Sequence, residues 1–155
     1  MLKIITEGTK KRINLLWVED DEKIDEINMK LQREYHISQF VNIDFVTNIQ
    51  EIESHIKEDY DVYIFDLNLK DKFHDNYDFV KIQKTISLVN ELGNEKLCKV
   101  LFYSKFLNIV EIRDKVLTDL QQKIGELHDY QKIPKENIDI DLPKIISGLY
   151  KIMEK

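Results

Sequence analysis

The sequence is short of cysteine, proline and glycine. Of its 155 residues one is cysteine (Cys98), two are proline and four are glycine. One cysteine cannot form an intrachain disulfide, and such usage fits a reducing compartment. Scarce Pro and Gly leave no linker-like stretch, low-complexity tract or repeat at which to cut the chain. Apolar runs stay well below the ~18 residues of a membrane span. Residues 1–10 lack the apolar core of a signal peptide. These absences point to a cytoplasmic protein. The four histidines, His36, His55, His74 and His128, are scattered and make no metal-ligand spacing with Cys98. Net positive charge is lacking too. At −6, with 34% charged residues, the chain is not one that holds nucleic acid by neutralising phosphates.

What is present is enough for one core: 43% of the residues are hydrophobic. Short apolar runs alternate with longer periodic segments. Ile13 to Val18 is almost continuously apolar, as a parallel strand covered on both faces should be. Ile24, Ile27, Leu31 and Tyr35 then recur at helical steps. Phe40 to Val46 alternates as a strand, and Ile49, Ile52 and Ile56 mark a second helix with Asn48 as its expected N-cap. Val62 to Phe65 is a strand ending at Asp66, followed by a polar loop over 70–76. Phe79, Ile82, Ile86 and Val89 predict a third helix, Val100 to Tyr103 a strand ending at Ser104, and Ile109 to Ile124 a fourth helix. A strand is expected around Tyr130 to Lys135. The last helix is expected from Asp141 as N-cap, with Pro143 in its first turn and Ile145, Ile146, Leu149 and Ile152 on its apolar face. Five strands alternating with five helices predict an α/β fold, a doubly wound parallel sheet with helices on both faces.

In such a sheet the site lies at the carboxyl ends of the strands. There the sequence puts Glu19-Asp20-Asp21 after the first strand, Asp66 after the third and Ser104 after the fourth. Carboxylates converging on one crevice repel unless a cation or proton intervenes. Mg²⁺ is the natural hard cation for oxygen ligands, and a carboxylate can itself act as a nucleophile. Capping of the first helix alone would explain Asp20 or Asp21, but not three adjacent acids facing Asp66. Ser104 has an alternative reading as N-cap of the next helix, and Trp17 reads as core.

Three segments in order resemble the receiver domains of response regulators, the CheY-like family. They are Leu15-Leu16-Trp17-Val18-Glu19-Asp20-Asp21-Glu22, Asp61-Val62-Tyr63-Ile64-Phe65-Asp66-Leu67-Asn68-Leu69, and Val100-Leu101-Phe102-Tyr103-Ser104. The resemblance covers about residues 12–153, which makes 12–155 the domain and 1–11 a lead-in. It implies a flavodoxin-like five-stranded sheet of order 2-1-3-4-5. It further implies that Asp66 is the phospho-acceptor and that Glu19 and Asp20 are the acidic pair. Mg²⁺ would be held by Asp20, Asp66 and the main-chain carbonyl of Asn68. Ser104 would contact the phosphoryl group and move on activation, and Asp75-Asn76 would begin the third helix.

The chain departs from the family at two places. Lys70 stands where Pro is usual, in a loop about two residues longer, and the Lys-Pro after the fifth strand is absent. Lys132 and Lys135 compete for the lysine position. Lys135 fits better, because Ile133 then takes the buried site upstream. Tyr130 could be an aromatic switch residue only if Lys132 filled that role. The implied function is a two-component receiver that accepts a phosphoryl group on Asp66 in a Mg²⁺-dependent reaction and signals by partner docking. It would not be a turnover enzyme. Its partners would be a histidine kinase or histidine phosphotransfer protein and a downstream protein, with no direct nucleic acid or membrane contact. A homodimer through the face between the fourth and fifth helices would be open to it. The alternative is a pseudo-receiver that binds partners without phosphorylation. A haloacid-dehalogenase-like phosphatase fits less well, since Asn68 stands where those enzymes usually carry a second Asp.

Overall fold

A computed structural model describes residues 12–19, 24–47, 49–55, 58–66, 87, 99–104, 118 and 128–154. Their elements are strand β1 (Ile13–Val18), helix α1 (Ile24–Glu34), strand β2 (Val41–Val46), helix α2 (Ile49–His55), strands β3 (Val62–Phe65), β4 (Val100–Ser104) and β5 (Lys132–Pro134), and helix α3 (Ile138–Met153). The five strands form one sheet of order β2-β1-β3-β4-β5, and each pairing is parallel. This is the flavodoxin-like order. The stripes expected to form the third and fourth helices, and the 70–76 loop with Asp75-Asn76, lie outside the described residues.

Alternation along the strands divides the core into two layers. On one face Leu15 and Trp17 of β1 pair in register with Val62 and Ile64 of β3. With Leu101 and Tyr103 of β4 they pack against Ile27 and Leu31 of α1 and Leu142, Ile145, Ile146 and Leu149 of α3. The alternate residues Leu16, Val18, Tyr63, Phe65 and Phe102 are buried on the other face. Right-handed crossovers require this arrangement. The chain steps outward from β1 to β2 through α1 and back across to β3 through α2, so the two helices fall on opposite faces. The inner strands β1, β3 and β4 are thus buried on both sides, and this is why they read as nearly continuous apolar runs, whereas the edge strands β2 and β5 keep exposed or half-buried positions. Gly148 lets α3 approach closely, because a Cβ there would meet Leu101 Cδ1 at 2.7 Å and the Tyr130 carbonyl oxygen at 2.8 Å.

The last helix differs from the sequence expectation. It begins at Ile138 with Asn137 as N-cap, whose side chain accepts from the Asp139 N–H at 2.9 Å. Asp141 is not the cap: it lies inside the helix and is fully buried. Pro143 accordingly falls beyond the first turn. Asn137 and Asp141, four apart, are both of a residue type that caps helices. Tertiary contacts to Asp141, described below, decide between them. The fifth strand is also shorter than expected, since Asp129–Gln131 form a 3₁₀ turn before it.

Candidate functional site

Four residues that end or follow strands carry the site. Glu19 follows β1, Asp66 follows β3, Ser104 closes β4 and Lys135 follows β5. β1 and β3 are neighbours at the point where the strand order reverses, where the carboxyl edge of a doubly wound sheet opens a crevice. The sheet ladder continues into these residues. The Glu19 N–H donates to the Val46 carbonyl at 2.9 Å, that of Asp66 to Val18 at 3.0 Å, and that of Lys135 to Ser104 at 3.1 Å. Backbone hydrogen bonds therefore fix where the side chains start.

The side chains of Glu19, Asp66 and Lys135 meet in a largely buried cluster, next to buried Ser104 on the backbone. Glu19 and Ser104 are fully buried, and Asp66 is 6% exposed. The Lys135 ammonium donates to Asp66 Oδ2 at 3.2 Å and to Glu19 Oε1 in a shorter contact. It also lies 5.0 Å from the centre of the Tyr103 ring, within cation–π range. Of the two lysines, Lys135 is the one whose ammonium bonds both acids, and Ile133 upstream of it is buried. Lys132 is half-buried on β5.

Two acids facing one lysine leave an excess of negative charge in a dry site. Burial, reinforced by the charge of Asp66, pushes the Glu19 carboxyl up from 4.5 to about 8, although Lys135 pulls against the shift. Burial alone would lower the Lys135 ammonium, but Asp66 and Glu19 outweigh it and hold the lysine above its ordinary value. The lysine therefore stays charged, and the strain of the excess acid shows at Glu19.

Such a pocket suits a hard divalent cation. Its acidic donors are carboxylate oxygens, and their uncompensated charge is what a cation would relieve. Among the described residues no three His, Cys, Asp or Glu side chains gather as a metal-binding cluster. Asp20 and Asn68, the remaining expected ligands, lie outside the described residues. The donors that are described fit the metal in chemistry.

Two residues of the site environment carried no functional signal in sequence. Tyr103 read as strand packing, yet its ring lies beneath Lys135 and its hydroxyl donates to Asp141 Oδ2 at 2.8 Å. The same oxygen of Asp141 accepts the Glu136 N–H at 3.0 Å. The available signal was Glu136 itself, which stands directly after the lysine where the resembled family has proline.

No family model and no curated protein sequence matches this chain. Its structure does match solved ones. A CheY-like response-regulator receiver domain from Methanospirillum hungatei superposes with a TM-score of 0.59 at 16% identity, over 93% of this chain and 98% of that one. The receiver domain of a Francisella response regulator gives 0.56 at 20% identity, over 92% and 99%. The receiver domain of a sensor histidine kinase from Pseudomonas aeruginosa, described with a magnesium ion coordinated in its active-site cleft, gives 0.55 at 15% identity, over 91% and 99%. The chain thus has the fold of CheY-like response-regulator receiver domains.

Proposed function

We propose that this chain is a phosphorylatable receiver and that Asp66 is its acceptor. The observation that carries the reading is the Lys135 ammonium bound to both Asp66 and Glu19 at the β1–β3 crevice. A cation was the part that the absent Lys-Pro put in question, and the pocket has one. This answers one of the two departures behind the pseudo-receiver alternative, the missing Lys-Pro; the other, the loop after Asp66, lies outside the described residues.

In the proposed reaction a carboxylate oxygen of Asp66 attacks the phosphorus of a phosphohistidine on a histidine kinase or phosphotransfer protein. The P–N bond breaks as the acyl phosphate forms, and the histidine nitrogen leaves with the bonding pair. Asp20, Asp66 and the Asn68 carbonyl would hold Mg²⁺, with Glu19 beside them in the acidic pair, and the metal when bound would offset the charge on the phosphoryl oxygens. Lys135 exchanges its bond to the free carboxylate for one to the phosphoryl group. The Ser104 hydroxyl donates to a phosphoryl oxygen, and the added charge repacks the β4–β5 side of the domain.

We place the working unit at residues 12–155 and its output in partner docking. The face available for a downstream protein or a second copy includes a groove of about 500 Å³ between β5 and α3, lined by Tyr130, Lys132, Pro134, Lys144, Ser147 and Lys151. No helix among the described residues is long and apolar enough to cross a membrane. The test is incubation with acetyl phosphate and Mg²⁺ followed by intact mass. One phosphoryl adduct is expected, and none in Asp66→Asn.

A further inference from the structure

We propose that Tyr103 and Asp141 are positioning residues for Lys135, and that their hydrogen-bonded bracket replaces the proline that follows the lysine in the family this chain resembles. Lys135 is carried on the short segment 135–137 between β5 and α3. Its own N–H is tied to the Ser104 carbonyl. The next N–H, of Glu136, donates to Asp141 Oδ2 at 3.0 Å. A proline at 136 would have no N–H to give, so this tie exists because Glu stands there. Asp141 is in turn fixed from two directions. Its own N–H donates to the Asn137 carbonyl at 2.8 Å, inside the helix start, and its Oδ2 accepts the Tyr103 hydroxyl at 2.8 Å.

Tyr103 closes the loop. It belongs to β4, beside Ser104, and is 3% exposed. Trp17 of β1 packs against its ring edge-on, with centroids 6.4 Å apart. One end of the tyrosine thus anchors the acid that holds the Lys135 segment, and its face lies 5.0 Å from the Lys135 ammonium. The lysine's side chain and the N–H that follows it are both referenced to β4 through Tyr103, while its own N–H is tied to β4 through Ser104. Asp141 touches neither Asp66 nor Glu19 in this arrangement, so it acts on the site only through Lys135. Its use in phosphoryl transfer rests on Asp66 being the acceptor, whereas the placement of Lys135 stands without that reading.

The test reads Lys135 directly. The full chain, free of metal and phosphodonor, is labelled sparingly with an N-hydroxysuccinimide ester, and modification of Lys135 is measured by mass spectrometry relative to exposed Lys144. Lys135 should label slowly in the wild type. Asp141→Leu and Tyr103→Leu should raise its labelling several-fold with Lys144 unchanged. Asp141→Asn, which keeps an accepting oxygen, should stay near wild type. Adduct formation from acetyl phosphate should slow in the same order. Wild-type labelling of Lys135 in folded Leu variants would overturn the proposal, as would an Asn variant as reactive as the Leu variant. If neither Leu variant folds, Tyr103→Phe decides, since it keeps the ring and loses the hydroxyl. Raised Lys135 labelling there supports the bracket and wild-type labelling refutes it. A wild type that forms no adduct defeats the acceptor reading alone, because labelling still decides the placement.

Discussion

Glu19 and Asp141 are both fully buried acids, yet they sit in opposite electrostatic situations. Glu19 faces a second acid and one lysine, and its carboxyl is pushed up to about 8. Asp141 faces a tyrosine hydroxyl and a backbone N–H. The first is a place where folding brings like charges together against their preference. The second is a place where folding supplies two donors to one oxygen, Oδ2, of an acid. A site that exchanges charged groups needs the first kind, and the segment that aims its lysine needs the second.

The sharpest way to break the contrast is Asp141→Leu. It leaves the buried Tyr103 hydroxyl and the Glu136 N–H without their acceptor, which should cost about 3 kcal/mol. Urea unfolding monitored by circular dichroism measures it, and a loss below ~1 kcal/mol would mean that the bracket is not structural.

Glu19→Gln should act in the opposite direction. In the metal-free folded protein Glu19 keeps its proton up to about pH 8, whereas its ordinary value is 4.5. Across that window the folded state binds more protons than the unfolded one, so stability falls as pH rises. The Gln variant should flatten this slope and exceed the wild type above pH 8 by on the order of 2 kcal/mol. Urea titrations in EDTA across the window check it. Equal slopes would remove Glu19 as the strained group.

A smaller effect is expected at Asn137→Ala. Losing the N-cap should lower stability by about 1 kcal/mol while leaving Lys135 in place. Thermal unfolding gives the first quantity and amine labelling the second.

The sheet was legible because both faces of each central strand are covered. Residues 15–18, 62–65 and 100–103 had to be apolar throughout, so the polar residues after them stood out. The acids Glu19 and Asp66 were visible for that reason. Lys135 was legible only as one of two candidates. Its selection depends on how far β5 runs before α3 starts, and a three-residue strand leaves a weak pattern. Asp141 was misread because Asn137 and Asp141 are equally good caps in sequence. The Tyr103 hydroxyl, 38 residues away in the chain, and the Glu136 N–H hold Asp141 inward. Tyr103 was hidden by its strand, where an apolar ring is expected for packing alone. Local pattern reports what an element buries. It does not report a hydrogen bond made across elements.

Phosphoryl transfer to Asp66 is read by intact mass after incubation with acetyl phosphate and Mg²⁺. One phosphoryl adduct on the wild type and none on Asp66→Asn is the predicted result. An unmodified wild type, or an undiminished adduct on Asp66→Asn, would contradict it.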